Sequence, residues 1–191
     1  MVKPLIGVLS LQGDFAEHKA VLDSCGYRGI EVRSPEELEL ADALIIPGGE
    51  STTQLKLIDR YDLRDPLRKR AEGGMPLFGT CAGAIVLATR TSDGEPPLEV
   101  LPISIVRNAY GRQADSFEAD IDVPELRKPV RGVFIRAPII EDPAGGSVMA
   151  TFNERPVLVR FDRMLVSTFH PELVGERAIH EYFVQELCGG A

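Results

Sequence analysis

The chain has 191 residues, enough for one domain with a substantial core and short for two, so a single domain over residues 1–191 is expected. Its 44% hydrophobic and 26% charged content is that of a globular protein, and a net charge of -8 with pI about 5.0 argues against an electrostatic nucleic-acid binder. Three cysteines without C-x-x-C spacing argue against a disulfide framework or zinc knuckle and predict a reducing, cytoplasmic setting, and no apolar run reaches membrane-spanning length.

"PLIGVLSLQGD" (4–14) is an apolar run ending in a glycine turn and reads as a buried strand. Asp14 then caps a helix that turns Phe15, Val21 and Leu22 inward. "IEVR" predicts a second strand and "SPEELE" a short capped helix. "DALIIPGGES" (42–51) is a third strand entering a glycine turn, with Ser51 as N-cap of "TTQLKLIDRY". A charged helix follows, then a fourth strand in "MPLFGTC" (75–81) and its helix in "AGAIVLATR" (82–90). Such alternation predicts an open, mostly parallel sheet with helices on both faces. Beyond residue 93 the texture becomes strand-like: "LEVLPISIVR", "FEADIDV", "GVFIRAP", "SVMATFN", "PVLVRFD" and "MLVSTFH". The last three read as an antiparallel extension. "GERAIHEYFVQEL" closes the chain as an amphipathic helix.

Ligands in open α/β sheets bind beyond the carboxyl ends of the strands. Three glycine turns fall there: "QGD" (12–14), "PGGES" (47–51) and "GTCAG" (79–83). The last brackets a thiol, Cys81, with Gly79 and Gly83. Cysteine packs as a small hydrophobe, and a plain buried thiol is one reading. The other is a nucleophile elbow, a strained strand-to-helix turn whose glycines let strand and helix pass closely. A start-of-helix thiol beside an imidazolium favours the thiolate form. Of the three histidines, His18 and His180 sit among charged neighbours and read as solvated helix-face residues. His170 ends an apolar strand and precedes Pro171-Glu172. An extended segment there puts His170 and Glu172 on one side, as base and orienter.

"GTCAG" with a distant "FHPE" resembles the class I, triad-type glutamine amidotransferases, whose domain is flavodoxin-like. "LQGDFAEH", "PGGESTT", "RNAYGRQADSFEAD" and "GVFIRAP" narrow the resemblance to the glutaminase subunits of pyridoxal 5'-phosphate synthase, across essentially the whole chain. The resemblance implies that Cys81, His170 and Glu172 form the triad and that L-glutamine is hydrolysed through a γ-glutamyl thioester. It puts glutamine on Gly49, Glu50, Ser51, Arg107, Ile135 and Arg136. Gly49 and Ala82 then supply oxyanion N–H groups, and Gln12 a gating contact. Ammonia would pass to a synthase subunit that builds the cofactor from a pentose phosphate and a triose phosphate. Pyridoxal 5'-phosphate is then the complex's product rather than this chain's cofactor, no metal is required, and neither nucleic acid nor membrane is a partner. Two other readings remain: a glutaminase of histidine-biosynthesis type, and a cysteine hydrolase of similar elbow architecture. "VGER" (174–177), where the family often has Thr and an acidic residue, is a departure next to the "HPEL" segment.

Overall fold

Short apolar runs alternating with helices along the first half of the chain build the middle of a seven-stranded sheet, in a computed structural model that describes residues 3–107, 116–126 and 128–189. Residues 108–115 of the "RNAYGRQADSFEAD" stretch lie outside the described residues. The first strands and helices are β1 (Leu5–Leu9), α1 (Phe15–Ser24), β2 (Arg28–Val32), α2 (Pro35–Glu39), β3 (Ala43–Ile46), α3 (Ser51–Arg60) and α4 (Arg64–Glu72). Next come β4 (Leu77–Thr80), α5 (Ala82–Leu87), β5 (Ala88–Thr91), β6 (Leu101–Val106), β7 (Phe117–Ile121), β8 (Val130–Phe134) and β9 (Ile139–Asp142). The chain ends with β10 (Ser147–Phe152), β11 (Arg155–Phe161), β12 (Met164–Ser167) and α6 (Ala178–Tyr182), which continues as a π-helical turn, Phe183–Cys188. No helix among the described residues is long and apolar enough to cross a membrane.

The large sheet has the order β10-β11-β12-β4-β3-β1-β2. Its β12, β4, β3, β1 and β2 are mutually parallel, and β10 and β11 add the antiparallel pairings. The expected parallel sheet with an antiparallel extension is therefore what forms, with two corrections. β12 joins the parallel block beside β4, so the extension is two strands and not three. The helix after Cys81 stops at Leu87, where Ala88 turns extended and pairs with Leu101 of β6 in a small second sheet.

Strand alternation sorts the core onto two faces. Leu44, Ile46 and Leu77 point to one, with Leu38 of α2, Leu55 and Ile58 of α3, and Leu67 of α4. Ala43, Ile45 and Phe78 point to the other, under Leu22 of α1 and the Ile179, Phe183 and Leu187 stripe of the C-terminal helix. The carboxyl ends of β1, β3, β4 and β12 thus converge between two packed helical layers.

Candidate active site

Cys81 sits between β4 and α5 with φ 48° and ψ -101°, a left-handed backbone that non-glycine residues rarely adopt. Its N–H donates to the Ser167 carbonyl at 2.8 Å, tying the turn to β12. The flanking glycines are spatially required. A Cβ on Gly79 would lie 2.7 Å from the Gly83 carbonyl carbon, and one on Gly83 would lie 2.0 Å from the Ile46 oxygen. Here the expected elbow is found, and the tight passage of α5 over β3 and β4 explains it.

His170 lies just past β12, held by paired main-chain hydrogen bonds with Val133 of 2.8 and 3.2 Å. Its Nδ1 is 2.8 Å from Glu172 Oε1 and 3.2 Å from Asp14 Oδ2. Burial alone would lower the His170 pKa, but favourable interaction with Asp14, Cys81 and Glu172, the two carboxylates accepting at Nδ1, outweighs it and holds the imidazolium up to about 12. Burial moves Glu172 the other way, above the usual carboxylate range, with the His170 bond opposing. The expected extended path from His170 to Glu172 is not the one taken. Pro171 is helical (φ -71°, ψ -28°), and Glu172–Val174 is a 3-10 turn. Proline constrains the residue before it more than its own ψ, so the carboxylate returns to Nδ1 by a turn instead. Asp14, Glu172 and His170 are also close enough to share an ion, with ligand atoms within 4.8 Å of one another. Both carboxylates lie against the same imidazole nitrogen, His170 Nδ1.

A cavity of about 400 Å³ opens over Cys81 and His170. Every site residue anticipated from the sequence except Glu172 lines it, joined by Asp14 and Ile85. Glu172 lies behind His170 with its side chain fully buried. On the third-strand turn, Gly49 has φ 145°, and a Cβ there would lie 2.5 Å from Gln12 Oε1. Gln12 is in the turn after β1, which ends earlier than expected, at Leu9. Its Oε1 accepts the Glu50 N–H at 2.8 Å.

Ser51 does not cap α3, contrary to expectation; Glu50 does. Its carboxylate accepts from Thr52 N at 3.1 Å and Thr53 N at 2.8 Å. Burial works against the ionised form, yet bonds from Thr53 and Thr52 hold Glu50 down at about 2. Both the side chain and the N–H of Glu50 are therefore committed within the protein, while buried Ser51 lines the cavity. Arg107 donates to Thr52 Oγ1 at 3.0 Å and lies 3.5 Å from Glu50 Oε1. Ile135 and Arg136 follow β8; the Ile135 carbonyl is 4.0 Å from Cys81 Sγ, and Arg136 has φ 43°.

His18 and His180 are not solvated. Both are fully buried, with His18 Nδ1 2.8 Å from His180 Nε2. The period carried the signal: His18 is three residues after Phe15 and four before Leu22, inside the apolar stripe. Asp14 was read only as a helix cap, and its side chain makes no cap hydrogen bond.

Residues 8–189 match the SNO glutamine amidotransferase family. The chain belongs to that family. A relative from Pelotomaculum thermopropionicum, described as pyridoxal 5'-phosphate synthase subunit PdxT, is 52% identical over 184 residues, covering 95% of this chain and 94% of the relative. The PdxT of Carboxydothermus hydrogenoformans is 47% identical over 97% of this chain and 98% of its own. Among solved structures, a glutamine amidotransferase superposes with a TM-score of 0.91 at 49% identity, covering 96% of this chain and 98% of the other. A putative GMP synthase subunit from Thermoplasma acidophilum shares the fold at a TM-score of 0.70 and 18% identity. This SNO-family member thus presents a thiol, an imidazole and a carboxylate at the strand ends of a glutamine amidotransferase fold.

Proposed function

We propose that this chain is the glutaminase subunit of a pyridoxal 5'-phosphate synthase, with residues 1–191 acting as one amidotransferase domain. The observation that carries the chemistry is Cys81 on a positive-φ elbow, lining one cavity with His170, whose imidazole Glu172 orients. The curated relatives named as PdxT support the choice of acceptor.

In this reading Cys81 Sγ attacks the side-chain amide carbon of glutamine. The oxyanion is met by the N–H groups of Ala82 and Gly49. His170 gives its proton to the departing nitrogen, ammonia leaves and the thioester remains. Water then adds as His170 takes a proton, the C–S bond breaks, and glutamate departs with Cys81 restored. Arg107 and Arg136 are the cationic partners for the α-carboxylate of glutamine, with Ser51 and Ile135 completing its contacts. Ammonia passes to the synthase subunit. Pyridoxal 5'-phosphate is the product of the complex, this chain needs no cofactor, and the compartment is cytoplasmic.

A glutamine analogue with an electrophilic side chain tests the assignment. It should attach once, to Cys81, and Cys81→Ala should lose hydrolysis while keeping its fold. Labelling of Cys25 or Cys188 instead would contradict the reading, and faster turnover of peptides or esters than of glutamine would favour a general cysteine hydrolase.

A further inference from the structure

Behind the carboxylate of Glu172 lies a pair of imidazoles that the reaction as described does not use. His18 of α1 and His180 of α6 are both fully buried, with ring centroids 5.1 Å apart. Phe78 of β4 meets each edge-on, at 6.2 Å from His18 and 5.6 Å from His180. His18 Nε2 is 3.1 Å from Thr80 Oγ1 and 3.5 Å from Glu172 Oε1, the same oxygen that receives the His170 Nδ1–H.

Two buried imidazoles are a costly way to fill space next to a phenylalanine. Each loses its hydration, and apolar side chains of similar volume would pack there without that loss. Burial keeps both neutral: His18 is pushed well below the ordinary histidine value, further lowered by His180 and His170, and His180 falls to about 4. A neutral imidazole carries one N–H, and its placement is decided locally. The Nε2–H tautomer of His18 points a donor at Thr80 and Glu172, whereas the other would face a lone pair toward the carboxylate. With Nε2 protonated, His18 Nδ1 must accept, and the His180 Nε2–H at 2.8 Å supplies that proton. His180 Nδ1 is then the lone-pair nitrogen; it makes no hydrogen bond among the described residues, and the Glu176 carbonyl, which raises the His180 pKa, is outweighed by burial. Donors so point from His180 through His18 toward Glu172 Oε1, which receives the His170 Nδ1–H from the other side.

We propose that His18 is a positioning residue for Glu172, and that His180 holds His18 in the tautomer that performs this. The inference rests on the triad reading above. It ties the C-terminal helix to the nucleophile: α6 contributes no cavity residue, yet through His180 it fixes the last member of the chain behind the base.

The test is steady-state glutamine hydrolysis by the chain in complex with its synthase subunit, for His18→Leu, His18→Gln and His180→Leu, with thermal melts of each. A glutamine amide nitrogen can replace imidazole Nε2 as donor; a leucine cannot. His18→Leu should lose about 30-fold or more in kcat with KM within about twofold, and His18→Gln should recover at least about a third of the lost activity. His180→Leu should fall between them. In a Glu172→Gln background, His18→Leu should add under about threefold, because its action passes through that carboxylate. Equal losses in His18→Leu and His18→Gln, or losses that multiply with Glu172→Gln, would overturn the proposal and leave the pair as core packing. Should His18→Leu fail to fold, the His18→Gln and His180→Leu pair decides the same question, because wild-type kcat in His180→Leu refutes the relay. A wild-type complex without glutaminase activity would refute the triad reading itself, a different outcome from all of these.

Discussion

The ring of His170 lies against Gly48 so closely that a Cβ on that glycine would sit 2.1 Å from Cε1 and 2.7 Å from Nδ1. The proximity is backbone to ring, so the imidazole's position is set by the absence of a side chain on the turn after β3. Gly48→Ala should therefore push the ring away from Asp14, Glu172 and Cys81. Misplacing a base by about 1 Å costs on the order of 100-fold in rate. We expect kcat for glutamine hydrolysis to drop by about that factor with secondary structure retained; a kcat within twofold of wild type would contradict the geometry.

Within the triad the losses should be ranked. His170→Asn removes the base and the charge that pairs with the thiolate, and should be nearly as inactive as Cys81→Ala. Glu172→Gln should cost less, because Asp14 Oδ2 remains 3.2 Å from Nδ1 and can orient the ring by itself. The double variant Asp14→Asn/Glu172→Gln removes both acceptors and should lose more than the product of the single effects. Multiplicative losses in the cycle would show that Asp14 and Glu172 do not share one task.

How much of this was legible in the sequence depends on what each residue answers to. Cys81 announced itself because only small residues can build its turn, and both glycines prove sterically required. The His170–Glu172 pair was found by proximity in sequence, although the chain closes it with a turn rather than an extended step. Glu50 displaced Ser51 as the cap because its longer carboxylate spans two N–H groups, Thr52 and Thr53, from one residue further back. His18 and His180 were misread because charged neighbours in sequence, Glu17 and Lys19 among them, mask a helical period that carries each imidazole inward. Asp14 could not be found at all from its own stretch, since its partner is 156 positions away and arrives only when β1 and β12 share a sheet end.

Stability should carry the mark of the buried pair. His18 and His180 stay neutral in the folded chain, whereas the unfolded chain protonates them below about 6.5. Their contribution is complete above that pH and lost as pH falls below it, for His180 toward 4. By pH 5 His180 alone costs about 2 kcal/mol relative to neutral pH. His170 has the opposite sign: its contribution is complete below about 6.5 and lost as pH rises toward 12. Urea unfolding at pH 7 and pH 5 checks the acid side. The wild type should lose more stability over that interval than His18→Leu/His180→Leu, and parallel losses would contradict the burial effect.

The contact proposed to gate the site is specific enough to remove. Gln12 Oε1 holds the Glu50 N–H at 2.8 Å, directly beside Gly49, and the Gln12 carbonyl accepts from Gln54 Nε2 at 3.2 Å. A partner that moves the turn after β1 therefore moves the Gly49–Glu50 turn, the proposed source of an oxyanion donor. We expect the synthase subunit to stimulate glutamine turnover at least about tenfold, equivalent to ~1.4 kcal/mol of barrier. Gln12→Ala should lose that stimulation. Equal turnover with and without the partner would leave an ungated glutaminase.

The central claim is that ammonia made at Cys81 is the nitrogen the synthase uses, and isotope transfer tests it directly. The chain and a pyridoxal 5'-phosphate synthase subunit are incubated with a pentose phosphate, a triose phosphate and glutamine carrying 15N in its side-chain amide. The account predicts 15N in the ring of the pyridoxal 5'-phosphate formed, no product from Cys81→Ala with glutamine, and restored product from Cys81→Ala when an ammonium salt is supplied. Unlabelled product from the wild-type complex, or labelled product from Cys81→Ala, would contradict it.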